Sequence, residues 1–373
     1  MTFLRPRYLG CYSDSRDNNL NLLRFLAAFA VVWSHATLVV TGETATEPLM
    51  QETGYTLGHL SVNVFFIISG FLIAQSLQRS KDLIEYFVAR FLRLVPGLFV
   101  TAIVTAFVIG PFMSELGAAG YFSQLATWTY VPLTSSMLID NGELPGLFAN
   151  APSAFEVNGS LWTLRWEAMA YVGLALLGSA GLLATRLRFG VFFGLFLAIY
   201  IAITMWTDLR ETIGAVDHIM RFGLCFLLGT FAYVYRKKIP VTLLIGLPLV
   251  LLPVLLRETG VYQLALVLAM GYAVFWLAYV PNGLVRKFNG WGDFSYGIYI
   301  YGFPVKQVMI SLFPQLDAAT LMLIASPIIL LLAIASFYLV ERPSMRKRGE
   351  LVSRIRKWKP LNAREQTASS PAE

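Results

Sequence analysis

The strongest constraint on this chain is the recurrence, nearly end to end, of apolar runs close to the ~20 residues a helix needs to cross a ~30 Å hydrocarbon core. Ten runs are read, at 21–40, 58–77, 94–113, 161–180, 189–206, 218–235, 240–256, 261–280, 294–313 and 319–340. With 57% hydrophobic and 14% charged residues over 373 positions, the chain has more apolar surface than one soluble core would hide. The expected fold is all-α, a polytopic membrane helical bundle of about ten transmembrane helices. It divides into an N-terminal arm (1–20), a membrane domain (21–343) and a basic to disordered tail (344–373), whose end, 360–373, is polar and rich in alanine and serine. The first run has a basic lead-in (Arg5, Arg7, Arg16) and no small-residue cleavage signal after it, so it reads as a retained anchor.

Lysine and arginine prefer cytoplasmic loops. With both termini cytoplasmic, 24 of the 29 basic residues fall on inner segments, among them 79–93, 186–188, 236–238, 286–287 and the tail. Arg210 and Arg257 fall outside, and Arg165, Arg221 and Lys306 lie within spans. The outer segments carry Glu43, Glu47, Glu52, Glu115, Asp140, Glu143 and Glu156. The net charge of +7 therefore reflects topology and contact with anionic membrane lipids, with no nucleic acid implied. A multi-pass protein of the cytoplasmic (inner) membrane is expected.

Within the first span, Arg24 and His35 stand eleven residues apart, three helical turns plus about 20°, on one face and roughly 16 Å apart along the axis. An ionisable group in a bilayer costs on the order of 2.5–3.5 kcal/mol, so a deep histidine reads as functional, against the alternative that it only hydrogen-bonds a neighbouring helix. Depth counting places His35, Glu167, Lys306, Arg221 and Arg165 in outer halves of their spans, which suggests a polar cavity on that side. Glu167 is the candidate to orient His35, with a structural salt bridge to Arg221 or Lys306 as the bland alternative. Arg90 and Arg93, three apart, point to one side of a helix, and guanidinium forks bind phosphate well; topology-setting charge is the competing reading. Cys11 and Cys225 lie too far apart in depth to pair, and three histidines without HxxxH or HExxH spacing imply no metal. His59 and His218, at span ends, read as interfacial. Ser69 lacks the GxSxG context of a hydrolase nucleophile. The connection 114–160 is the longest and has no lysine or arginine; its run Trp128 to Tyr130 suits an interfacial helix or a carbohydrate-stacking surface. No internal repeat is visible, which weakens a transporter built of inverted halves.

Several phrases then coincide in order. Arg24 and His35 form Arg-x10-His; SVNVFFIISGFLI follows at 61–73, FVARFLRLVPGL at 88–99, GSLWTLRWEAMAY at 159–171, DFSYGIYIYGFP at 293–304, and Arg342-Pro343 near the end. On these the chain resembles the acyltransferase-3 family of integral-membrane O-acyltransferases, over roughly 17–343. It departs at Asn21 and Asn63, where many members have aspartate, and at Gly302, where many have histidine.

The resemblance implies an O-acyltransferase, by expectation an O-acetyltransferase. It would move an acyl group from cytoplasmic acyl-CoA (acetyl-CoA or another short acyl-CoA) to a hydroxyl of a glycan or lipid-linked saccharide acceptor at the cell surface or bound for export. Arg24, Arg90 and Arg93 are the expected donor-phosphate residues, and the face Arg24, Ala28, Val31, His35 the expected groove for the pantetheine arm. His35, with an unperturbed pKa near 6.5, would activate the acceptor hydroxyl or itself carry the acyl group. Trp162, Arg165, Arg221 and Lys306 are the candidates for contacting the acceptor. No fused esterase-like domain is read, so any second transfer step would need a separate protein. The rival from another class is a secondary transporter or lipid-linked glycan flippase.

Overall fold

The computed structural model describes residues 7–357 apart from 14, 16, 138–142 and 155. Arg5, Arg16, Asp140 and the tail from 358, on which expectations were placed, lie outside the described residues.

A helix occupies each of the ten apolar runs. These are α1 (Leu20–Thr41), α2 (Leu57–Arg79) and α3 (Leu83–Ile103, continuing to Met113); then, after a short α4 (Leu125–Ser136) in the long connection, α5 (Trp162–Ser179), α6 (Arg186–Trp206) and α7 (Gly214–Val234). The series ends with α8 (Leu243–Leu255), α9 (Tyr262–Tyr279), α10 (Ser295–Leu312) and α11 (Ala318–Ser336). Seven of them, α1, α2, α3, α6, α7, α9 and α11, are long and apolar enough to cross a membrane. The protein is thus a polytopic membrane helical bundle. Helix α8 has 13 residues and two internal prolines, Pro248 and Pro253. The 18-residue α5 and α10 carry polar groups, Arg165 and Glu167 in one and Lys306 and Gln307 in the other, which lower their apolarity.

Local chemistry sets the ends. Thr56, Asp82, Thr185 and Asp317 cap α2, α3, α6 and α11 through side-chain oxygens that accept backbone N–H groups. Gly42, at φ 75°, ends α1 in the left-handed conformation with its N–H on Leu38 O. A two-residue strand, β1 (Arg7–Tyr8), pairs antiparallel with β2 (Pro240–Val241) and ties the N-terminal arm to the turn before α8.

Helix α3 moves one boundary. The span expected at 94–113 begins at Leu83, after a connector at 80–82, so the helix on which Arg90 and Arg93 share a side is continuous with the span. The helix runs 31 residues through a π-helical stretch, Val104–Ile109, so at roughly 46 Å it exceeds the hydrocarbon core and carries its arginines toward the aqueous end.

Packing is closest between α2 and α7. A Cβ built on Gly70 would lie 1.9 Å from Phe226 O, and one on Gly229 2.0 Å from Ile67 O, so only glycines let these backbones touch. Helix α1 packs between α2 and α10, and α10 against α11. The connection 114–160 folds onto α3 through Tyr121, whose hydroxyl donates to Ala106 O at 2.8 Å, and through α4, which buries Tyr130 and leaves Trp128 exposed. Gln307 of α10 holds its return by donating to Ser153 O and Glu156 O at 2.9 and 2.6 Å. After α11, a π-helical stretch (Phe337–Glu341) and a short helix lead into α12 (Arg348–Lys357). The start of the expected tail is therefore helical and docked: Val352 packs with Val88 and Leu92 of α3, and Arg356 and Arg348 pair with Asp82 and Glu85 at 2.7 and 3.1 Å.

Candidate active site

A cavity of about 560 Å³ lies among α1, α2, α3, α5, α10 and the start of α12. That is within the range of small-molecule sites, about 300–1,000 Å³. It follows α2 from 62 to 73, roughly 16 Å of helix. Its walls are apolar, with Phe66 and Leu72 among them, and its charged lining consists of Arg24, Arg90, Arg93, Arg348, Asp293 and Glu167. Three of the residues singled out for donor binding are thus brought to one site from two helices distant in sequence.

Asp293, just before α10, organises the arginine end. Its Oδ2 lies 2.6 Å from Arg93 and 3.3 Å from Arg24, while Oδ1 accepts the Ser295 hydroxyl and N–H at 2.5 and 3.2 Å. Burial pushes this carboxyl up, but the two guanidinium groups and Ser295 outweigh it and hold the pKa at about 2. Asp293 therefore stays ionised at any physiological pH. Arg93 has a second carboxylate, Glu341, at 3.3 Å; the π-helical turn buries that residue, and it also accepts from Ser336 Oγ at 3.0 Å. Arg90 instead donates to Ser76 Oγ at 3.4 Å and lies 5.9 Å from the Tyr171 ring, with no carboxylate partner among the described residues.

Glu167 departs from its expected pairing. It accepts from Ser69 Oγ at 3.2 Å and from the Tyr171 hydroxyl, and is not hydrogen-bonded to His35, Arg221 or Lys306. Tyr171 is one turn along α5 on the same face, and both turn toward α2, which places Glu167 in the arginine cavity rather than in an outer polar pocket.

His35 stands behind the cavity wall. Its Nδ1 is 3.2 Å from Ser160 Oγ, and the edge of Phe303 packs against its ring at 5.7 Å. Ser160 O accepts from the Tyr299 hydroxyl at 2.5 Å, which is also 2.5 Å from Thr163 Oγ1. Tyr299 and Thr163 line the cavity, so Ser160 stands between the lining and the imidazole, its carbonyl on Tyr299 and its hydroxyl on His35. Near His35, Lys306 is fully buried and donates to Val32 O at 2.7 Å, and Ser34 donates to Glu47 of the connection after α1. Burial pushes the Glu47 carboxyl above the usual carboxylate range, against the Ser34 hydrogen bond and the Lys306 charge. The groove expected along Arg24, Ala28, Val31 and His35 is absent: Ala28 and Val31 are packed into helix contacts, and the open path runs along α2.

The remaining candidates lie off the cavity lining. Arg221 donates to Asn63 Oδ1 and His59 O, both at 2.9 Å; Arg165 lies 5.3 Å from the Trp166 ring; Trp162 packs on His218 and Phe222. Asp293, Glu341, Ser160 and Arg348 were not singled out from the sequence. An aspartate directly before a span at the arginine level, and a glutamate ending the last span, were the available signals for the first two. Ser160 offers none, being an ordinary residue at a helix start.

The structure is that of a multi-pass membrane helical bundle with an arginine-ended cavity and a histidine behind its wall. The sequence matches the acyltransferase-3 model, described as an acyltransferase domain, over residues 17–342, and the chain belongs to that family of membrane acyltransferases. It is 26% identical over 338 residues to a protein of Shigella phage Sf6 named O-acetyl transferase, covering 88% of this chain and 96% of the relative. It is 30% identical over 174 residues to nodulation protein 10 of Rhizobium leguminosarum bv. viciae, covering 44% and 45%. No solved structure matches.

Proposed function

We propose that the protein is a membrane O-acetyltransferase that takes an acetyl or similarly short acyl group from cytoplasmic acyl-CoA and places it on a hydroxyl of a glycan, either at the cell surface or lipid-linked for export. The observation that carries this reading is the cavity itself. Its arginine end suits nucleotide phosphates, and its ~16 Å path along α2 suits an extended thioester arm that ends near Tyr299 and Ser160. The name of the phage relative supports the acetyl group, and the family resemblance supports the glycan.

In the proposed chemistry His35 Nδ1–H donates to Ser160 Oγ, which leaves Nε2 with its lone pair. Nε2 takes the proton of the acceptor hydroxyl as that oxygen attacks the thioester carbonyl, and returns it to the departing thiolate. Arg24, Arg90 and Arg93 form the cationic end that faces the donor phosphates, Glu167 with Ser69 and Tyr171 offers hydrogen bonds along the arm, and Lys306 maintains the charge setting around His35.

The test uses purified protein in liposomes with radiolabelled acetyl-CoA and surface glycan, with mass analysis of glycans from cells with and without the protein. Label should appear on the glycan. His35→Ala should abolish transfer while membrane insertion persists, because removing a polar group from a span does not oppose insertion. Transfer by the variant at the wild-type rate would remove His35 from the chemistry. A transporter or flippase would show neither labelled glycan nor acetyl-CoA consumption.

A further inference from the structure

The arginines of the cavity are not equivalent. Arg93 sits on two carboxylates, Asp293 and Glu341, and Arg24 shares the first of them, so within this group two positive charges meet two negative ones. Arg93 is 14% exposed and Glu341 fully buried, and removing either would leave a buried charge uncompensated. Two other lining arginines differ. Arg90 has no carboxylate among the described residues, and Arg348, at the start of α12, has only Glu85, at 3.1 Å. Arg348 is 38% exposed and Glu85 24%, a pair that solvent screens and that contributes little to stability. The Nε–H groups of both Arg90 and Arg348 are buried without a hydrogen-bond partner; that of Arg24 is too, but Arg24 already spends Nη1 on Asp293.

We propose that Arg348, with Arg90, forms the phosphate-binding pair of the donor site, so that the segment after the last span completes the donor mouth, while Arg93 is a positioning residue that fixes Asp293 and α10. This rests on the donor being an acyl-CoA. A phosphate arriving at the mouth replaces Glu85 on Arg348 and supplies the unpartnered Nε–H groups, whereas Arg93 has no comparable capacity left. Docking of α12 on α3 through Val352, Val88 and Leu92 and through Arg356 on Asp82 keeps Arg348 at the cavity edge.

The experiment measures binding of acetyl-CoA and of S-acetyl-pantetheine, the same thioester arm without nucleotide or phosphate, to the detergent-solubilised full chain. Arg348→Ala should weaken acetyl-CoA about tenfold, the equivalent of 1.4 kcal/mol, and leave S-acetyl-pantetheine unchanged. Glu85→Gln keeps the hydrogen bond from the Lys81 N–H but frees Arg348, and should tighten acetyl-CoA severalfold. Arg93→Ala should lower the melting temperature of the unliganded protein, which Arg348→Ala should not. Unchanged acetyl-CoA affinity in both Arg348→Ala and Glu85→Gln would overturn the proposal, as would an equal loss for both ligands in Arg348→Ala. Wild-type protein that binds acetyl-CoA no better than S-acetyl-pantetheine would instead overturn the donor reading beneath it.

Discussion

At the scale of single residues, the 3.2 Å contact between His35 Nδ1 and Ser160 Oγ decides how the imidazole is held. It engages one ring nitrogen and leaves the other free for the proton transfer proposed above. Ser160→Ala should therefore lower kcat about fivefold, as the loss of roughly 1 kcal/mol would give, with KM for acetyl-CoA unchanged; steady-state kinetics in liposomes check this. An equal rise in KM would mean that Ser160 shapes the cavity wall instead. Arg24 and His35 were legible in the sequence because charge is conspicuous in an apolar run. Ser160 was not, since its partner lies 125 residues away and serine has no signature of its own. The same holds for the pairing of Arg93 with Asp293 across 200 residues: periodicity reports which face a residue occupies, not which distant helix supplies its counter-charge. For this reason Glu167 was assigned to His35 from depth alone, although the structure gives it Ser69 and Tyr171.

At the scale of elements, all ten helices were legible because each had to supply a long apolar run. The exception in detail is α3, where arginines that mark the end of a span also mark a helix continuing past it. Helix α10 shows another limit of hydropathy: among the more polar of the long helices, it is buried along most of its length because protein rather than lipid surrounds it. The α2–α7 contact had no visible signature, since glycines in spans serve many purposes. It is nonetheless demanding. Gly229→Ala would place a methyl against Ile67 O and should destabilise the protein by about 1–3 kcal/mol or more, read as a lower melting temperature in detergent. Gly194→Ala, on a face of α6 with open space, should leave it within ~0.5 kcal/mol of wild type.

At the scale of the whole molecule, the sided mechanism depends on orientation, which charge bias predicts. Single cysteines at Glu43 and Glu143 should react with an impermeant thiol reagent added to intact cells, whereas those at Ser80 and Lys287 should not. The exposed native Cys11 should stay unlabelled on the same expectation, and Cys225 is buried. The reverse pattern would invert the bundle and place the arginine end outside. Backbone contact between α2 and α7 has one further consequence. The glycine contacts, together with Phe66 stacked on Phe222 and Arg221 donating to Asn63 Oδ1, join the two helices into one plate, and its α2 face forms a long wall of the cavity. For the donor proposed above, widening of the cavity would come from the opposing side, where α12 is docked on α3 by two partly exposed ion pairs and a small apolar contact. Turnover would then be paced by undocking of α12 from α3, away from the histidine.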